Sequence, residues 1–144
     1  PASRDGGWQV TAAQRLDINA LRALAGRLRL RVAAIVPDAS ALGAFVPLLN
    51  PQSQGLAWRD ENHWLWATQE AWGCVTCDEV KSLSQLAEQL QVPLRLCADA
   101  GDEARNLDVW QVIHRRQPPL PVDGDRYAIA LGLALGSEHH DACR

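Results

Sequence analysis

The stretch from Gly55 to Cys77, GLAWRDENHWLWATQEAWGCVTC, most constrains what this chain can fold into. It holds four of the six tryptophans: Trp58, Trp64, Trp66 and Trp72. Apolar runs alternate with polar breaks, the first break being Arg59, Asp60, Glu61, Asn62 and His63. Side chains two apart on a strand share a face, so Trp64 and Trp66 fall together, with Leu65 and Ala67 opposite. The pattern predicts three antiparallel strands joined by tight turns, a meander. Apolar residues on both faces call for helices over at least one of them.

Before the meander, Trp8 to Ala13 reads as a short β-like run. From Gln14 to Leu28, the residues Leu16, Ile18, Leu21, Leu24, Ala25 and Leu28 recur at spacings of three and four, which predicts an amphipathic helix. Leu30 to Val36, rich in β-branched residues and closed by Pro37, predicts a buried strand. Asp38 or Ser40 can cap a helix over Ala39 to Leu49, which Pro47 must shorten or kink. After the meander, Ser82 caps a helix through Leu83, Leu86, Ala87 and Leu90, and Leu94 to Ala98 forms a strand. Leu107 to Ile113 fits either helix or strand, and Gln117 to Asp125 is a Pro-rich loop. Arg126 to Gly136 predicts an apolar helix in which Gly132 costs up to about 1 kcal/mol unless something packs against it. The fold class is therefore α/β, with the meander extended by further strands and helices packed on the sheet. One domain is expected over residues 1–136, with a polar tail over 137–144.

Composition narrows the function. The net charge of −3 argues against a broad nucleic-acid footprint or an anionic membrane surface. Arg59 is the only basic residue between Gly55 and Val80, so the aromatic stretch lacks the interleaved cations of a single-stranded DNA platform. No apolar run approaches the roughly 20 residues of a membrane-spanning helix. A cytoplasmic compartment is the expectation. The absence of methionine and the loop-like opening Pro1–Gly7 predict a piece of a longer protein.

No catalytic, cofactor or metal site is expected. Cys74-Val75-Thr76-Cys77 is a lone CxxC that could join Cys97, Cys143, His139 or His140 around zinc, or act as a redox pair. Positions three apart on a strand face opposite ways, which favours two ordinary reduced cysteines. Glu138, His139, His140 and Asp141 read as a solvated tail, and Asp99, Asp102 and Glu103 as turn residues before a helix. His63 and His114 lack a partnered nucleophile motif, and Gly6-Gly7 is followed by no Lys-Ser or Lys-Thr. Some tryptophans must be core. If Trp64 and Trp66 stay partly exposed, they form a partner-binding patch.

Several segments carry a resemblance. VAAIVPDASALGAFVPLL (Val32–Leu49), LAWRDENHWLWAT (Leu56–Thr68), RQPPLP (Arg116–Pro121) and YAIALGLALG (Tyr127–Gly136) together resemble the type IV pilus assembly PilM-like family, and most closely its enterobacterial DNA-utilisation branch. The likeness runs from about Val10 to Gly136, on the C-terminal portion of such proteins. It implies a ribonuclease-H-like half of an actin-like ATPase fold. It also implies a cytoplasmic protein docked at the inner membrane onto the cytoplasmic tail of a PilN-type partner. The implied role is in taking up extracellular DNA as a nutrient through a pilus-like apparatus. Two departures stand out. Nucleotide-binding relatives place Asp and Gly in the turn between the first two strands, where backbone amides meet phosphates. Here that turn, Arg59 to His63, has no glycine and two carboxylates. Relatives also carry a Gly-Gly pair after a later strand, where Cys97 to Asp102 has one glycine. The expectation is a non-catalytic scaffold without ATP in this half, with a nucleotide-dependent actin-like ATPase as the alternative.

Overall fold

The computed structural model describes residues 12–50, 52–97, 106–113, 119 and 121–141, with backbone alone for Val112 and 137–141. The chain divides into two compact units, Pro1–Ile35 and Val36–Arg144.

In the first unit, α1 spans Arg15–Arg27, as its periodicity predicts. Its C-terminus closes by two backbone hydrogen bonds: Arg29 N donates to Gly26 O at 3.1 Å, and Leu30 N to Ala25 O at 2.8 Å. Arg29 takes the left-handed conformation that this closure needs, at φ 56°. No residue of α1 is buried, and Leu16 is 78% exposed. The strand expected over Leu30–Val36 does not form. A strand persists only where its N–H and C=O groups find a ladder. This segment has none among the described residues, and Leu30, Val32, Ile35 and Val36 stay exposed.

The second unit is built on a five-stranded sheet of order β3-β2-β1-β4-β5. The strands are β1 Gly55–Arg59, β2 His63–Thr68, β3 Trp72–Thr76, β4 Leu94–Cys97 and β5 Asn106–Leu107. The meander is as predicted: β1–β2 and β2–β3 are antiparallel, with Trp58 opposite Leu65 and Trp66 opposite Gly73. β4 adds to β1 in parallel, and β5 to β4. The segment that fitted helix or strand is split between β5 and a 3-10 turn over Val109–Val112.

Period-two alternation sends one set of side chains to each face. Leu56, Leu65, Ala67 and Cys97 join Leu42, Phe45 and Val109 in one core. Ala57, Trp64 and Leu94 join Val80 and Leu86 in the other. The first face is covered by α2 (Asp38–Leu42), by the 3-10 turn Gly43–Leu48 that contains Pro47, and by α4 (Ala128–Asp141). Neither Asp38 nor Ser40 caps α2. Pro37 holds the N-cap position, and the Ser40 hydroxyl donates back to its carbonyl at 2.9 Å. The second face is covered by α3 (Leu83–Leu90), whose Ser82 hydroxyl accepts from Gln85 N at 3.2 Å, the expected cap.

Gly132 is the close-approach point of α4. A Cβ there would strike the Ala41 carbonyl of α2, so the glycine lets two helix backbones touch. The tail expected to be irregular continues α4 as far as Asp141, since nothing before that point breaks the helix. Trp8–Thr11, most of Gln117–Asp125 before Pro121, Asp99–Asp102 and the last three residues lie outside the described residues.

Candidate interaction surface

The turn between β1 and β2 is where the resemblance puts phosphate-binding amides. Asp60 occupies those amides itself. Its Oδ1 accepts from Asn62 N at 2.7 Å and from His63 N at 2.6 Å. These two bonds, with a smaller contribution from His63, hold the Asp60 carboxyl below its ordinary range. The Asp60 N–H in turn donates to His63 O at 3.0 Å, closing the turn. A side-chain anion thus occupies the amides to which the resemblance assigns a phosphate. The Asp-x-Asn spacing is the sequence signal for this self-capped turn. His63 lies outside the core, its Nδ1 3.6 Å from Asp60 Oδ1.

The tryptophans divide by their hydrogen bonds. Trp64 Nε1 donates to Val80 O at 2.9 Å, Trp58 Nε1 to Asp125 O at 3.0 Å and Trp110 Nε1 to Gly124 O at 2.9 Å. Each pins a loop carbonyl to the sheet or its flank. Trp64 is only 2% exposed, and the Arg59 guanidinium lies 5.1 Å from its ring centroid. Of the two tryptophans that would form a partner-binding patch if partly exposed, Trp64 does not meet that condition, because its wide ring fills the α3-side core. Trp66 is half-buried, its indole lies over Gly73, and its Nε1 has no partner among the described residues.

The CxxC cysteines diverge as alternation requires. Cys74 is exposed, and Cys77 packs against the α3-side core. Burial, then the charges of Asp60, Asp38 and Glu79 with Cys77, pushes the Cys74 thiol up. Cys97 is buried, and burial raises its thiol well above the ordinary value. No three His, Cys, Asp or Glu side chains converge among the described residues. Cys143, Asp99, Asp102, Glu103 and His114 lie outside them, as do the side chains of Glu138, His139, His140 and Asp141.

Two open grooves of about 420 Å³ each flank the Asn50–Gln54 linker. One has Glu70 as its ionisable side chain and the other Arg95, so neither pairs an acid with a base. No helix among the described residues is long and apolar enough to cross a membrane.

One feature escaped the sequence reading: the outer border of β3. Its end is closed by Glu79, whose Oε2 accepts from Thr76 N at 3.2 Å and from the Thr76 hydroxyl at 2.8 Å. The Thr-x-x-Glu spacing is a legible signal for this cap.

No family model and no solved structure matches the chain. Among curated proteins, one match agrees with the likeness carried by Leu56–Thr68 and Tyr127–Gly136. Over 135 residues, 92% of its length, the chain is 45% identical to the DNA utilization protein HofM of Escherichia coli K12, and it spans about 50% of that protein's length.

Proposed function

We propose that this chain is part of a non-catalytic adaptor in a pilus-like apparatus for the use of extracellular DNA. In this reading it is a ribonuclease-H-like half of a PilM-like, actin-like fold, held in the cytoplasm at the inner membrane by the tail of a PilN-type protein. The sheet order β3-β2-β1-β4-β5, with a meander extended by parallel strands, supports that fold. The name of the HofM relative supports the physiological role.

The observation that carries the absence of catalysis is the Asp60 turn. Its Oδ1 consumes the Asn62 and His63 amides at 2.7 and 2.6 Å. A nucleotide phosphate entering there would have to displace a carboxylate from two charge-assisted bonds and then face its charge.

Calorimetry on the full-length protein tests the reading. The partner's cytoplasmic tail peptide is titrated with and without magnesium-ATP. Binding that is indifferent to nucleotide is expected. Binding that requires ATP, or robust ATP hydrolysis, would establish the nucleotide-dependent alternative instead.

A further inference from the structure

The outer border of β3 carries no neighbouring strand among the described residues: β3 is the terminal strand of the sheet, with β2 on its other side. The ladder fixes which groups face outward. Thr68 N donates to Ala71 O at 2.7 Å and Cys77 N to Asn62 O at 2.7 Å, so Ala71, Gly73, Val75 and Cys77 turn their backbone groups toward β2. Trp72, Cys74 and Thr76 turn theirs away. Thr76 is occupied by Glu79, which leaves the N–H and C=O of Trp72 and Cys74 as the free pairing groups.

Proteins ordinarily protect such a border with lysine, proline or a bulge. Trp72-Gly73-Cys74-Val75-Thr76 has none of these, and no charge within it. Indoles flank the border on both faces. Trp72 is half-buried against the α2 side, and the Trp66 ring lies across Gly73 on the α3 side. Besides the neighbouring Cys77 thiol, the groups whose charge acts on Cys74 are the carboxylates of Asp60, Asp38 and Glu79.

We propose that the β3 border is a strand-addition site for an extended, cationic segment of a partner polypeptide. The Trp72 and Cys74 backbone groups supply the ladder, the carboxylates select positive charge, and the Trp66 indole offers a π surface to an incoming arginine or lysine. A second copy of this border would bring its own Asp60, Asp38 and Glu79 carboxylates against these, which disfavours self-pairing. The inference deepens the adaptor reading, but the two fail separately, because nothing here depends on nucleotide.

The probe is a fluorescein-labelled peptide of three Arg-Val repeats, followed by anisotropy against the full chain at low ionic strength. Saturable binding is expected, weakened at least tenfold when alternate peptide amides are N-methylated and at least tenfold in the Glu-Val counterpart. A proline is tolerated on a border strand where its N–H would face solvent. Cys74→Pro therefore should keep the near-ultraviolet circular dichroism of the parent and lose the peptide. Backbone NMR shifts on peptide addition are expected at Trp72–Cys74 and Trp66. Equal binding by the N-methylated peptide, unchanged binding by Cys74→Pro, or no binding at all would overturn the proposal.

Discussion

The indole N–H of Trp64, on β2, donates to the carbonyl of Val80 at 2.9 Å, tying the chain that leaves the meander to the face α3 covers. Val80 is itself fully buried, so its carbonyl has no water to turn to. Trp64→Phe should therefore cost about 1–3 kcal/mol for an orphaned buried acceptor. Trp64→Ala adds an empty space and should cost about 3–5 kcal/mol. Urea titrations of both variants, followed by a backbone signal, check the order. A neutral Trp64→Phe would mean that the bond contributes nothing.

The Asp60 turn makes stability depend on acid. The folded carboxyl is held below the ordinary aspartate value, and Glu79 is lowered by its bonds to Thr76. Groups lowered in the folded state contribute stability above their unfolded values, about 3.9 for Asp and 4.3 for Glu. That contribution is lost as pH falls through the folded values. Asp60→Ala should cost about 0.5–1.5 kcal/mol at pH 6, set by its hydrogen bonds, because solvent screens so exposed a charge. The gap between parent and variant should shrink below pH 4. A gap that is constant from pH 6 to pH 2.5 would refute the assignment.

Two glycines on one helix should respond oppositely to alanine. At Gly132 a Cβ would meet the Ala41 backbone, with its carbonyl carbon at 2.8 Å and Phe45 Cε2 at 3.3 Å. At Gly136 nothing lies within 4 Å. Gly136→Ala should gain about 0.5–1 kcal/mol from helix propensity. Gly132→Ala should lose about 1–3 kcal/mol, because forcing α4 off α2 outweighs the same gain. Thermal melts of the two variants, run side by side, decide this; stabilisation by both would mean that the helices are not in backbone contact.

The thiols should separate by access. Cys74 is exposed and Cys97 buried, and both thiols are raised from a reference of 9.0. Iodoacetamide should alkylate Cys74 slowly at pH 7 and faster as pH rises toward and past that reference, since the thiolate is the nucleophile. Cys97 should react only once the chain is unfolded. Peptide mass spectrometry of a labelling time course reads both sites, and equal native rates would be inconsistent with this core.

Much of the fold was legible because one physical rule governed each legible part. Alternation placed Trp64 and Trp66 on one face and Leu65 and Ala67 on the other, as observed. Ser82 and the Leu83–Leu90 spacing gave α3 its start and its buried side. Leu30–Val36 misled because β-branched composition reports that a segment suits a sheet, not that an edge is there to receive it. Trp64 stayed undecided between core and patch, because alternation gives the face of a side chain but not how deeply that face is covered. The Asp60 turn was visible as an absence of glycine, but its two amide bonds were not, since a carboxylate in a turn can face inward or out. The Thr76–Glu79 cap on β3 had a legible spacing, but that β3 ends the sheet was not legible, because which strand is terminal depends on where β4 docks, a property of the whole topology.

The position of β1 has a consequence in time. It pairs antiparallel with β2, its immediate successor, and parallel with β4, which arrives only after β3 and α3 have been laid down. Hairpins close in about 1–10 μs, whereas a parallel crossover must first bring distant chain together. On that schedule the three tryptophan-rich strands assemble early, with the β4-facing border of β1 still unpaired. The register Gly55–Leu94 then locks last on that pathway, and from Gly55 to Ala57 the central strand spends the slow step as a temporary border.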